Sequence, residues 1–167
     1  NYTDEEKRRH VIPTYMGLIS EIDHHIGRLM KFLDENNLSR NTLIIFTSDH
    51  GDYLGDHWLG EKDLFHEPSI RIPLIIVEPE MPENLRGSTE NRMIESVDVV
   101  PTLVETMGGS YASNRMEGRS LVPLLFGDNP TWRDTVFAEI DYSDRGARQI
   151  LDHHPYKCRG YMIKNTQ

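Results

Sequence analysis

Residues 42–76 read TLIIFTSDHGDYLGDHWLGEKDLFHEPSIRIPLII. The stretch opens on a short, unbroken apolar run, Thr42 to Ser48, rich in β-branched residues. It closes on a second run, Ile72 to Val77. Runs of this length and composition read as strands buried on both faces, as in a parallel sheet covered by helices. Pro73 cannot donate to a ladder, which places it at a strand start or on an edge. Between the runs lie Asp49, Asp52, Asp56, Glu61, Asp63 and Glu67, with His50, His57 and His66. Lys62 is the only lysine or arginine between Arg40 and Arg71. Open α/β sheets bind ligands at the carboxyl ends of their strands, so Asp49 and His50 stand where a site is expected.

The local chemistry supports two readings of each residue. A carboxylate and a neutral imidazole are good ligands for a divalent cation, and Gly51 lets the backbone turn sharply after them. Adjacent side chains on a regular strand point to opposite faces, so Asp49 and His50 reach one metal only if the strand has already ended. The plainer reading is an exposed capping pair. Lys62 reads either as a surface ion pair, worth ~0–1 kcal/mol, or as a cation that holds an anionic oxygen while charge develops. His57 and His66 read as general acids, imidazole being suited to proton transfer near neutral pH, or as satisfied loop histidines.

Upstream, Tyr15, Ile19, Ile22, Ile26, Leu29, Met30 and Leu33 recur at steps of three and four. This predicts an amphipathic helix from about Pro13 to about Asn36, with Pro13 in its first turn. His24 and His25 read as surface residues. Downstream, a polar connection over 78–95 leads to a helix capped by Ser96 or Asp98. That helix runs through Val99, Val100, Leu103, Val104 and Met107 and stops at Gly108-Gly109; Pro101 falls in its first turn. A short apolar stretch follows at Leu121 to Phe126. Strands are predicted at Thr135–Ile140 and Tyr156–Ile163. The order of elements predicts an α/β class fold with a small antiparallel appendage.

Composition narrows the partners. The 167 residues carry a formal net charge of -9 and a mean hydropathy of -0.56. That balance opposes binding to nucleic-acid backbones, while one lysine or a metal can still attract a small anionic substrate. No apolar run approaches the ~18 residues of a membrane-spanning helix, so no membrane partner is expected. Cys158 is the only cysteine. It leaves no disulfide framework and fits a reducing compartment such as the cytoplasm. Both ends read as interior positions of a longer chain, and a fragment is expected.

The quoted stretch as a whole resembles the sulfatase branch of the alkaline phosphatase superfamily, and more narrowly the phosphonate monoester hydrolases and their sulfatase relatives. The pattern is an apolar strand, T-S-D-H-G, L-G-x-H, G-x-K, then S-I-R-x-P-L-I-I, with thirteen residues from Asp49 to Lys62. The helix YMGLISEIDHHIGRLMKFLDENNL before it, and SVDVVPTLVETMG and GRSLVPLLFG after it, extend the likeness over most of residues 13–164. The resemblance implies a mixed sheet sandwiched by helices, with a smaller antiparallel sheet near the C-terminus. Residues 1–127 would be the C-terminal part of the catalytic α/β domain, and 128–167 an incomplete antiparallel subdomain. It implies Asp49 and His50 as metal ligands and Lys62 as the residue contacting the sulfuryl or phosphoryl group. Calcium or manganese leads among the metals, with magnesium or zinc as alternatives.

The family's nucleophile motif, C-x-P-x-R or S-x-P-x-R, whose Cys or Ser becomes formylglycine, does not occur in these 167 residues. Cys158, in KCRGY, lacks the Pro and Arg at the required places and lies near the wrong end of the chain. The formylglycine is therefore expected in an N-terminal part outside this chain, and the chain alone is expected to be inactive. The functional expectation is metal-dependent hydrolysis of sulfate, phosphonate or phosphate esters as part of a longer enzyme. Against it stands a non-catalytic metal-binding or scaffold role. Assembly into a homo-oligomer stays open.

Overall fold

The computed structural model describes residues 5–62, 64–141 and 159–165. The chain divides into two compact units, Asn1–Asn84 and Leu85–Gln167.

In the first unit, α1 runs from Glu5 to Glu35. Pro13 lies inside it, so the helix begins eight residues before the expected start. Proline removes one backbone hydrogen bond from the interior of a helix. Charged side chains support the preceding turns: Glu5 pairs with Arg8 at 3.7 Å and with Arg9 at 3.5 Å. Just past the proline, the Thr14 hydroxyl donates to the His10 carbonyl at 2.7 Å. The end of α1 follows expectation. Asn37 takes the left-handed conformation, φ 57°. Its amide donates to Asp34 O at 3.1 Å, and that of Leu38 to Leu33 O at 2.8 Å. This is the paired bonding that closes a helix at a left-handed residue.

Strand β1, Ile44–Thr47, is followed by the acidic loop, a one-turn helix α2 at Glu67–Ile70, and strand β2, Leu74–Val77. Pro73 sits immediately before β2, as its missing N–H requires. The two strands pair antiparallel, with Ile44 opposite Val77 and Thr47 opposite Leu74. The mixed sheet that the resemblance implies admits this antiparallel pairing, which the likeness of each run to a parallel-sheet strand does not indicate. A continuous apolar run predicts cover on both faces but carries no information on strand direction. Burial is also less than expected, with Phe46, Ile75 and Val77 exposed.

In the second unit, a 3₁₀ turn at Ser96–Asp98 leads into α3, Val99–Thr106. Gly108 ends it in the left-handed conformation, φ 72°, with Gly109 N donating to Val104 O at 2.8 Å. Helix α4 spans Val122–Leu125, and strands β3, Thr135–Asp141, and β4, Arg159–Asn165, pair antiparallel. They form the antiparallel appendage expected from the sequence. Tyr156, Lys157 and Cys158 lie outside the described residues.

Asp98 does not cap α3 as expected. Its carboxylate is fully buried and binds Arg133 through two hydrogen bonds, 2.5 and 2.7 Å. It also accepts the amides of Glu95, at 2.8 Å, and Arg119, at 2.7 Å. Four donors thus satisfy a carboxylate withdrawn from solvent. The hydrogen bonding of Asp98 to Arg133 raises the Arg133 pKa; burial opposes the shift, and the charges of Asp98 and Glu95 add to it.

Candidate functional site

Strand β1 ends at Thr47, so Ser48 to Gly51 already belong to a turn. The Ser48 hydroxyl donates to His50 O at 2.7 Å, and the His50 amide donates to Asp49 Oδ1 at 3.0 Å. The turn brings neighbours that a strand would separate to one side. His50 Nε2 lies 3.4 Å from Asp49 Oδ2.

The protonation of His50 follows from its other nitrogen. Nδ1 lies 2.8 Å from the Gly51 carbonyl oxygen. A carbonyl only accepts, so Nδ1 carries the proton. In the neutral ring, Nε2 then presents a bare lone pair. Two lone-pair atoms 3.4 Å apart need a cation beside them. Here the Lys62 ammonium supplies it, with Nζ 2.5 Å from Nε2. Among the described residues Lys62 makes no ion pair with a carboxylate, so the plain salt-bridge reading does not hold there.

The Asp49 side chain is 83% exposed. Desolvation pushes its carboxyl up. Hydrogen bonds from its own amide and that of His50, with electrostatic attraction to His50 and Lys62, outweigh this and hold it below the ordinary value of 3.8. The donor set fits a hard cation, with an open carboxylate, an imidazole in the ligating tautomer, and a backbone carbonyl fixing that tautomer from behind. Among the described residues no group of three or more His, Cys, Asp or Glu side chains converges on one point. Asp49 and His50 are therefore a pair.

Ser69 explains how His50 and Lys62, twelve apart in sequence, meet. It is buried, its hydroxyl donates to Lys62 O at 2.9 Å, and its carbonyl accepts from Gly51 N at 2.7 Å. Gly51 is needed for this approach. A Cβ there would lie 1.9 Å from the Pro68 carbonyl oxygen. Its φ lies outside the left-handed region, so the expected role in turning the chain is replaced by one in close packing.

The rest of the loop folds back on itself. Tyr53 N donates to Glu61 O at 3.0 Å and Gly55 N to Leu59 O at 2.9 Å. Leu54, His57, Trp58 and Glu61 all adopt positive φ, a concentration of backbone strain typical of functional loops. The fold brings His57 and His66 together, their rings stacked 4.1 Å apart at 14°. It also adds a residue that sequence reading missed. Tyr53, 1% exposed, places its hydroxyl 2.9 Å from His66 Nδ1. The signal was a tyrosine in a polar loop, whose hydroxyl needs a partner once buried.

An alkaline-phosphatase-like α/β fold, with an acidic loop leaving one strand end, defines a class of ester hydrolases. The chain is similar to the phosphonate monoester hydrolase of Agrobacterium radiobacter, with a TM-score of 0.80 and 33% identity, over 90% of this chain and 30% of that one. It is 43% identical to the multifunctional alkaline phosphatase superfamily protein PehA of Trinickia caryophylli, over 84% of this chain and 27% of the relative. It is 36% identical to an arylsulfatase of Clostridium perfringens, over 82% of this chain and 28% of that protein. Residues 1–110 match the family model described as Sulfatase. The chain belongs to the sulfatase family, within the alkaline phosphatase superfamily. It spans about a quarter of the length of these curated relatives.

Proposed function

We propose that this chain contributes the second half of a metal-dependent ester hydrolase site, acting on sulfate esters or on phosphonate or phosphate esters. The observation that carries this reading is the arrangement around His50 Nε2, a bare lone pair with Asp49 Oδ2 at 3.4 Å and Lys62 Nζ at 2.5 Å. Asp49 and His50 would hold the divalent cation, with calcium or manganese preferred and magnesium or zinc as alternatives. When bound, that cation would polarise a sulfuryl or phosphoryl oxygen. Lys62 leaves His50 and holds a non-bridging oxygen of the substrate. His57 and His66 serve the leaving-group side, where a proton must be delivered. The nucleophile, a formylglycine in the family pattern, comes from outside these 167 residues, so the chain alone does not turn over. In this reading residues 1–127 are part of the catalytic domain and 128–167 part of a smaller subdomain.

The relatives named above include an arylsulfatase and a phosphonate monoester hydrolase, which supports testing both ester classes. The test measures hydrolysis of aryl sulfate, phosphonate monoester and phosphodiester substrates by the active enzyme and by Lys62→Ala. A loss of about 10²–10³ in kcat is expected, the size found for removing one charge-stabilising donor; unchanged turnover would remove Lys62 from the site. Calorimetric titration of manganese or calcium into the parent chain and into its Asp49→Ala and His50→Ala variants tests the metal assignment, while turnover separates the hydrolase reading from a non-catalytic role. Full affinity in both variants means that these residues hold no metal.

A further inference from the structure

Tyr53 is the largest side chain withdrawn from solvent among the described residues. The ring is fixed at its base: its amide donates to Glu61 O and its carbonyl accepts Asp56 N at 2.8 Å. At its tip, the phenol oxygen receives the backbone N–H of His66 at 3.3 Å and lies 2.9 Å from His66 Nδ1. An amide N–H can only donate, so the oxygen is already an acceptor there. The phenol proton still needs a partner of its own, since a buried hydroxyl without an acceptor forfeits the bond it made to water. Among the described residues Nδ1 is the one acceptor in reach. Nδ1 therefore carries the lone pair, and the ring proton of neutral His66 sits on Nε2. A second proton on Nδ1 would face the phenol proton across 2.9 Å. His57, stacked on the same imidazole, makes no ring hydrogen bond among the described residues.

We infer that Tyr53 is a positioning residue that holds His66 as the neutral Nε2–H tautomer, so that His66 presents an N–H hydrogen bond to an anionic substrate oxygen, while His57 carries the proton transfer. This rests on the reading that the loop histidines face the substrate, and it divides their work. A neutral imidazole with one N–H is a good hydrogen-bond donor and a poor proton donor, because losing that proton leaves an imidazolate. The unclamped ring of His57 can take up a second proton and release it to the leaving-group oxygen. There an N–H bond breaks, an O–H bond forms and the ring returns to neutral.

The test is a long-range ¹H–¹⁵N correlation spectrum of the imidazole rings in the labelled chain, at a pH where they are neutral. His66 is expected to show a protonated Nε2 and a lone-pair Nδ1. Tyr53→Phe is expected to release it into a mixture of both tautomers, leaving His57 unchanged. A protonated Nδ1 in the parent chain overturns the proposal, and that spectrum decides even if Tyr53→Phe fails to fold. An unmixed Nε2–H tautomer in folded Tyr53→Phe overturns it equally. In the active enzyme, Tyr53→Phe should lower kcat about 10–100-fold, by analogy with partners that orient metal-ligating side chains, with KM little changed. On a His66→Gln background it should cost nothing more. Full turnover in His66→Gln alone would overturn the catalytic reading of His66, and the ring spectrum would still decide what Tyr53 does.

Discussion

Asp49 illustrates how a single exposed side chain can be biased without burial. Its carboxyl is depressed because two amides and the electrostatic attraction of His50 and Lys62 favour the charged form over the cost of desolvation. The sign follows directly. A carboxyl whose folded pKa lies below its unfolded one stabilises the fold above the unfolded value, and that contribution disappears as the pH falls through the folded value. The expected outcome is an Asp49 carboxyl titration, followed by NMR in the metal-free chain, with a midpoint below 3.8. Lys62→Met should move that midpoint upward. A midpoint at or above 3.8 in the parent chain would mean that the amides, His50 and Lys62 do not act on this carboxylate. Asp49, His50 and Lys62 were legible as a group because their residue types and spacing survive in one dimension. The Tyr53–His66 bond was not. It joins residues thirteen apart through a hydroxyl, and no periodicity records which loop tyrosine turns inward.

At the scale of elements, local signals that stop a helix were readable and those that start one were weaker. Asn37 and Gly108 end their helices in the left-handed conformation, as an amide or a glycine after an apolar stripe predicts. The start of α1 was missed because proline at position 13 is equally at home in a first turn, and only the charge pairs around Glu5 reveal the turns before it. Strand direction was invisible for a different reason, since pairing is a property of two segments and a buried run looks alike in both senses. Gly51 shows how one contact ties elements together. Gly51→Ala puts a methyl on the Pro68 carbonyl, and the backbone must shift. A loss of about 1–3 kcal/mol is expected by urea unfolding, with weaker Asp49–His50 metal binding; full stability in that variant would mean that the loop yields freely. In the second unit, Asp98→Ala leaves the guanidinium of Arg133, whose side chain is 9% exposed, with Glu95 at 3.1 Å as its remaining carboxylate. Breaking a buried pair from one side costs about 3–5 kcal/mol. Arg133→Lys should rescue little, because a lysine cannot reproduce the two parallel bonds.

For the molecule as a whole, the balance of buried and exposed apolar surface matters most. Among the described residues the buried hydrophobic side chains are Leu33, Tyr53 and Leu121. On α1 alone Met16, Leu18, Ile19, Ile22, Leu29 and Phe32 are exposed, and Ile75 and Phe137 are exposed on strands. The sequence stripe on α1 was therefore read correctly as an apolar face, but only its C-terminal end, at Leu33, is buried in this chain. Exposed apolar side chains on one helix, as on α1, drive association or mark a face that another surface covers. A net charge of -9 opposes self-association through repulsion between copies, and salt removes that opposition by screening. The expected outcome is that the isolated chain, at micromolar concentration and 0.15 M salt, sediments above its monomer mass of 19.4 kDa and binds an apolar dye. Association should weaken as salt is lowered. Ile22→Glu with Leu29→Glu should reduce both association and dye binding while helix content is retained, because both positions already face solvent and need no repacking. A monodisperse 19.4 kDa species that binds no dye would show that these side chains find cover within the chain itself. The α1 face would then be part of its own core rather than a surface awaiting a partner.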